Sequence, residues 1–400
     1  MARFGLIPPD RRIQGLGSFA SYDQKQKTAS RSQETELSMS AARPPSASSE
    51  TLYAVQYLRA AAALAVLLYH ISASSQDAWG LDPERVDHVG AAGVDLFFVI
   101  SGFVMAMIVA RPGDFDGGDF WLRRIARVVP AYWVITLAVF LLAWGMPHLF
   151  NEATTDLPAL LISLSFVALE HGNGDTGPLL VVGWTLNYEM FFYGIVALTA
   201  GLFGDRRLIG TSGVIIALVA VGQWLSPANQ TLLFYTDPIL LEFVLGILVF
   251  KTWNQTRATG QGLAPLAVFG AGCVLLFLQW ERPVGDMRML FWGVPAAAIL
   301  YGALGTLTFR SAFLARLGDW SYALYLTHVF VVSLYIKHIV SRVTFIELPW
   351  QVHYLILVVS ACAVAAVFHG LVERPLSRWT LRKMRGGDPA APREASVRSA

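Results

Sequence analysis

The chain has 400 residues, 55% hydrophobic and only 14% charged, with 30 Lys and Arg against 28 Asp and Glu. Soluble domains carry about 25% charged residues, so the composition excludes an ordinary soluble enzyme and points to an integral membrane protein. The net charge of +2 gives no case for a nucleic-acid partner.

Residues 1–50 are rich in Ser, Arg, Gln and Pro and lack an apolar run. They cannot form a core and are expected to be a disordered cytoplasmic tail. They also lack the apolar stretch of a cleaved signal peptide. Met39 stands shortly before the first apolar segment and is the alternative start to Met1, which mass spectrometry of the native N-terminus would decide.

Apolar segments long enough to cross a bilayer follow at Leu52–Ser72, Ala91–Ala110, Pro130–Pro147, Trp184–Phe203, Leu208–Leu225, Pro238–Lys251, Leu263–Gln279, Leu290–Leu307, Trp320–Ile336 and Trp350–Leu371. The sixth is the shortest. A run at Leu157–Leu169 is shorter still and suits a re-entrant or interfacial segment. With ten spans and a cytoplasmic N-terminus, only Arg85, Arg282, Arg288, Lys337 and Arg342 fall outside, and Arg59 lies within the membrane. The rest of the 30 Lys and Arg stay inside, as the positive-inside rule requires. Counting Leu157–Leu169 as a span would reverse every later loop. The expected fold is an all-α polytopic membrane helical bundle of about ten transmembrane helices, with both termini cytoplasmic. The domain would cover residues 51–380, followed by a disordered cytoplasmic tail at 381–400. The outside segment from Phe150 to Gly183 carries Glu152, Asp156, Glu170 and Asp175 and no Lys or Arg.

The first span, in QYLRAAAALAVLLYHI, holds Arg59 and His70, eleven residues apart. Eleven steps of about 100° return to within about 20° of the start, so both side chains share one face, about 16 Å apart along the axis. Each ionisable group near the middle of a span costs about 2.5–3.5 kcal/mol. A helix that aligns two of them is expected to line something polar.

This first helix runs outward, with His70 near its outer end. The second and fourth run inward, which puts Asp95 of GAAGVDLFFVISGF about 6 Å, and Glu189 of GWTLNYEMFFY about 8 Å, below the outer surface. His70, Asp95 and Glu189 thus share one depth, and Glu242 of the sixth helix is a candidate to join them. A base among carboxylates is an acid/base constellation, in which a carboxylate orients and polarises the imidazole. Singly, His70 could be a packing residue, Asp95 a helix cap and Glu189 a bond to a neighbouring helix. Their coincidence in depth favours chemistry, because unpaired buried acids are costly.

At the inner face, FWLRRIARVVPAYW places Arg123, Arg124 and Arg127 just before the third span. Orientation alone explains most such clusters. Arg124 and Arg127, three apart on one helical face, could also fork onto a phosphate. In LGDWSYALYLTH, Asp319 or Ser321 is expected to cap the ninth helix and His328 to hydrogen-bond within the bundle. Glu373-Arg374-Pro375 is expected to end the last span, since proline stops a helix. Trp184, Trp320 and Trp350 read as interfacial belt residues. Cys273 and Cys362 lie in apolar stretches and imply neither a disulfide nor a metal site. No Walker loop, HExxH or GxSxG occurs, so nucleotide hydrolysis, zinc proteolysis and a serine elbow have no support.

Taken in order, Arg-x10-His, GAAGVDLFFVISGF, the Arg-x-x-Arg of RIAR, GWTLNYEMFFY, SYALYLTH and ERP resemble the acyltransferase 3 family of membrane acyltransferases, over about Leu52 to Trp379. QYLRA, GVDLFFVISGFVM and GWTLNYEMFFY are most similar to its exopolysaccharide-production (ExoZ-type) branch. No departure falls at these motif positions; the unusual part is the long N-terminal tail, and the esterase-like C-terminal domain that some relatives carry is not expected here. The resemblance implies a multi-pass protein of a bacterial inner membrane that moves an acyl group, usually acetyl, from coenzyme A to a sugar hydroxyl. It assigns importance to Arg59, His70, Asp95, Arg124 and Arg127, and less defined roles to Glu189, Glu373 and Arg374.

On that basis acetyl-CoA is the expected acyl donor, with no metal. Arg124 and Arg127, with Arg123, would hold its phosphates, and Arg59 would steady it inside the bundle. His70 would act as general base, or carry the acyl group transiently, and Asp95 or Glu189 would orient it. The expected partners are a polymeric or lipid-linked saccharide acceptor, membrane lipids and polysaccharide synthesis machinery. A transporter or flippase for a lipid-linked saccharide suits the intramembrane charges equally on physics alone, but leaves the inner arginine pair unexplained. A non-catalytic member of a synthesis complex would keep the fold and show no turnover.

Overall fold

The computed structural model describes residues 49–79, 88–111, 113–145, 156–170, 176–256, 263–279, 285–336 and 348–385. Apart from Arg111 and Gly113, these fall in one contact unit. The expectations about residues 1–48 (Met39 included), Arg85, Glu152, Asp175, Arg282, Lys337, Arg342 and the chain after 385 lie outside the described residues.

Among the described residues the structure is helical, without strands. Helix α1 spans Ser49–Trp79. Helix α2, Gly93–Val109, is entered through a 3-10 turn at His88–Ala92. Then come α3 at Gly117–Gly145, the short α4 at Leu157–Ser165 and α5 at Trp184–Leu202. They are followed by α6 at Arg207–Leu225, α7 at Gln230–Tyr235, α8 at Leu241–Thr256 and α9 at Leu263–Phe277. A π-turn at Met289–Gly293 leads into α10, Val294–Thr306. Helix α11 spans Ala312–Leu334 and α12 Trp350–Phe368, and a second π-turn, His369–Glu373, joins α12 to α13, Arg374–Met384.

The described parts of all ten segments expected to cross the membrane are largely helical, and among the described residues eight stretches are long and apolar enough to do so. Helix α9, with 15 residues, falls short of that length, and α11 is diluted by Asp319, Ser321, Thr327 and His328. Nine residues of α4 rise about 13.5 Å, less than half of a bilayer core of about 30 Å. The outer surface is apolar, with Trp224 and Leu263 each 83% exposed, as lipid-facing side chains are.

Helix α3 starts at Gly117, so it holds Arg123, Arg124 and Arg127 ahead of the apolar span and runs on through Pro130. Two local expectations need correction. The cap of α11 is Ser311, whose side chain accepts from the Leu314 N–H, and not Asp319 or Ser321. Pro375 does not stop the last helix. The π-turn resets the register, and Pro375 stands at the start of α13, where its missing N–H costs nothing.

Two close crossings position the site. Helices α1 and α11 pack side by side: Gln56 donates to Asp319 (2.6 Å), Arg59 to Ser321 (3.2 Å), and His70 meets His328 (3.3 Å). Residue numbers rise together, so the two helices run in the same direction. Gly318 allows this approach, since a Cβ there would lie 2.3 Å from the Gln56 carbonyl oxygen. Helices α2 and α8 cross where Gly102 lies against the Phe243 carbonyl and Gly246 against the Val99 carbonyl. A side chain at either glycine would sit 2.1 Å from a backbone oxygen, so the backbones touch.

Candidate functional site

Helices α1, α2, α3, α5 and α11 enclose a cavity of about 110 Å³. Its α2 wall runs from Val94 through Phe97, Phe98, Ile100, Ser101 and Val104 to Met105. Those eleven steps make a slot about 16 Å tall. Leu186, Val128 and the aromatic residues Tyr193, Tyr322 and Tyr325 complete the apolar lining. The charged members are Arg59, Arg124, Arg127 and Glu189, three cations against one anion.

Their side chains are held by local geometry. Arg124 and Arg127 are three residues apart on α3 and therefore share its inner face. The Arg124 guanidinium lies 5.9 Å from the Phe120 ring centre and 5.8 Å from that of Tyr193. Its Nε is buried without a hydrogen-bond partner among the described residues. Arg59 Nε donates to Ser321 Oγ. Glu189 accepts from the Tyr193 hydroxyl, four residues on along α5, and from Ser101 Oγ at 3.3 Å. The lone carboxylate thus has neutral donors, and the Arg124 Nε–H is left over. Such a cavity suits a ligand with a multiply charged anionic end and a slender body.

Arg123 is not part of it. It points away, donates to Asp119 at 2.6 Å and is about half exposed, and Arg385 bonds the same carboxylate. The triplet read from the sequence therefore divides into a cavity pair and a surface residue.

His70 Nδ1 lies 2.9 Å from the Val66 carbonyl, one turn back, and 3.3 Å from His328 Nε2. His328 is fully buried, and its Nδ1 lies 2.9 Å from the Leu324 carbonyl. Tyr325 connects this pair to the cavity. It lines the slot, its ring centre is 6.0 Å from that of His328, and its hydroxyl donates to the Val182 carbonyl and meets Thr185 Oγ1.

Asp95 is held elsewhere. Arg288 grips it with two parallel bonds, Nε to Oδ1 at 2.9 Å and Nη2 to Oδ2 at 2.8 Å, with Asp95 completely buried. The guanidinium is sandwiched near Trp292 (5.0 Å) and Trp184 (5.7 Å). Glu242 is buried beside this pair, against Gly293 of the π-turn. The grouping expected at one depth is thereby corrected. Glu189 faces the arginines, Asp95 faces Arg288, and the described polar partner of His70 besides its own helix is a second histidine. Asp95 is also not a cap: the N-cap of α2 is Ala92.

Arg288, Ser321, Tyr193 and the pairing role of His328 were not legible as site features. Ser321 and His328 are seven residues apart and share a face of α11, which repeats the alignment of Arg59 and His70. Arg288 left no such trace, because its partner lies 193 residues earlier in the chain.

An acyltransferase domain model matches residues 52–370. The exopolysaccharide production protein ExoZ of Rhizobium meliloti (strain 1021) is 34% identical over 309 residues, covering 74% of this chain and 93% of the relative. Acyltransferase MdmB of Streptomyces mycarofaciens is 28% identical, over 80% of this chain and 90% of that protein. The putative peptidoglycan O-acetyltransferase YrhL of Bacillus subtilis (strain 168) is 26% identical over 80% of this chain, a match that spans 54% of the relative. No solved structure matches.

Proposed function

The chain belongs to the acyltransferase-domain family and is a multi-pass membrane O-acyltransferase; from that premise we propose that it carries an acetyl or related acyl group from cytoplasmic acyl-CoA to a sugar hydroxyl of an exopolysaccharide or its lipid-linked precursor. The observation that carries this reading is the slot, about 16 Å tall, lined by Arg59, Arg124 and Arg127. In the proposed orientation both termini are cytoplasmic, ten helices cross a bacterial inner membrane, and Arg124 and Arg127 lie toward the inside.

Arg124 and Arg127 bind the phosphates of the donor, and Arg59, steadied by Ser321, sits farther along its path. The apolar wall of α2 accommodates the pantetheine arm, which extends the thioester outward. His70 takes the proton of the acceptor hydroxyl as its oxygen bonds to the thioester carbonyl carbon. The carbon–sulfur bond breaks, and the proton passes to the departing thiolate. The products are the sugar ester and free coenzyme A. Glu189 accepts from Tyr193 and Ser101 through Oε1 and balances the arginines, and the Asp95–Arg288 pair holds the far end of α2. Neither carboxylate orients His70.

The test is release of free coenzyme A from acetyl-CoA by the full-length protein in membranes, measured with and without acceptor saccharide. Release that depends on the saccharide supports the enzyme reading. Saccharide translocation with no use of acetyl-CoA would support the transporter instead.

A further inference from the structure

We infer that His328 is a positioning residue for His70: it accepts a hydrogen bond from the His70 ring and so holds the lone pair of His70 Nε2 ready for the acceptor hydroxyl. This rests on the assignment of His70 as general base above. A backbone carbonyl can only accept. The ring nitrogens that face the Val66 and Leu324 carbonyls, both Nδ1 and both at 2.9 Å, must therefore carry the hydrogens. His328 in its neutral form then has a bare Nε2, which lies 3.3 Å from His70 Nδ1. The geometry has one solution for two neutral rings. His70 Nδ1–H is shared between the Val66 carbonyl and His328 Nε2, and His70 Nε2 carries the free lone pair. A base needs that arrangement, and His328 supplies what a carboxylate supplies in a Ser-His-Asp triad.

Burial makes the arrangement rigid. His328 is 1% exposed, its Nδ1 is occupied by its own helix, and the two rings meet edge to face with centres 4.9 Å apart. A flip of the His328 ring would break the Leu324 bond and turn an N–H against the N–H of His70. When His70 takes a proton, its Nδ1–H becomes a charge-assisted donor to an acceptor already in place.

The two amide substitutions separate this role from packing. The oxygen of Gln can stand where Nε2 stands and accept from His70. Asn reaches only as far as Nδ1, so it can keep the Leu324 bond but leaves His70 without its partner. The assay uses the full-length protein in native membranes, with labelled acetyl-CoA and the membrane-borne acceptor, and kcat is normalised to folded protein measured by size-exclusion chromatography. His328→Asn is expected to lower kcat about tenfold or more, a fraction of the 10²–10⁴ that a general base contributes. KM for acetyl-CoA stays unchanged, because His328 does not line the arginine slot. His328→Gln is expected to stay within about threefold of the parent. Equal loss in both variants, or a parallel rise in KM, would show a packing role and overturn the inference. Wild-type kcat in His328→Asn would also overturn it. His70→Ala run alongside separates the two levels: a dead His70→Ala with an active His328→Asn sinks only this inference, whereas an active His70→Ala sinks the general-base assignment itself.

Discussion

Replacing Arg124 by Ala tests the slot as a donor site. The guanidinium lies over Phe120 and Tyr193, and its buried Nε has no partner among the described residues. A phosphate oxygen that met it would gain a charge-assisted bond, and such bonds contribute about 1.5–3 kcal/mol each. At 1.4 kcal/mol per factor of ten, Arg124→Ala should weaken acetyl-CoA binding roughly 10- to 150-fold. Arg123→Ala provides the control. Arg123 is tied to Asp119 at the surface and half exposed, so its loss should change acetyl-CoA binding by less than about twofold. The assay is KM for acetyl-CoA and for acetyl-pantetheine, with membrane-borne acceptor. Acetyl-pantetheine lacks the nucleotide phosphates, so its KM should not respond to Arg124→Ala. If both donors weakened equally, or if Arg123→Ala matched Arg124→Ala, the phosphate assignment would be refuted.

Other outcomes follow from the same geometry. His70→Ala should abolish O-acetylation of the polysaccharide, read by NMR of the isolated polymer, while the amount of folded protein in the membrane stays normal. Arg288→Met leaves Asp95 buried and unpaired beside Glu242, which should destabilise by about 3–5 kcal/mol. Adding Asp95→Asn should recover most of that in the thermal aggregation midpoint of detergent-solubilised protein, and a double variant no better than the single would contradict the clamp. Gly246→Leu would drive a side chain into the Val99 carbonyl of α2. Loss of the monodisperse species on size exclusion is the expected result, and wild-type yield would argue against the close crossing.

Much of the architecture was legible because lipid imposes simple rules. A helix satisfies its own backbone inside a bilayer, so apolar runs mark where the helices lie, and the run at Leu157–Leu169 reads as shorter than a span. The shared face of Arg59 and His70 follows from helical periodicity, and both do turn to one neighbour, α11. The pair Arg124 and Arg127 was likewise readable from spacing. The ends of helices were read less well. Pro130 and Pro375 read as boundaries in the sequence, yet both sit within continuous helical stretches, one tolerated inside α3 and one admitted by a π-turn.

What composition and periodicity determined was the kind of molecule, its helices, and which polar residues had to face inward. Which inward residues meet was decided only by tertiary structure. Depth along a helix places a side chain at a level but not at an azimuth, and three acids or bases at one level can face three different neighbours. Here the close crossings at Gly102, Gly246 and Gly318 seat α2 on α8 and α1 on α11, and the packing of the bundle sets the rest. It sent Asp95 to Arg288, Glu189 to the arginine slot, and His70 to His328.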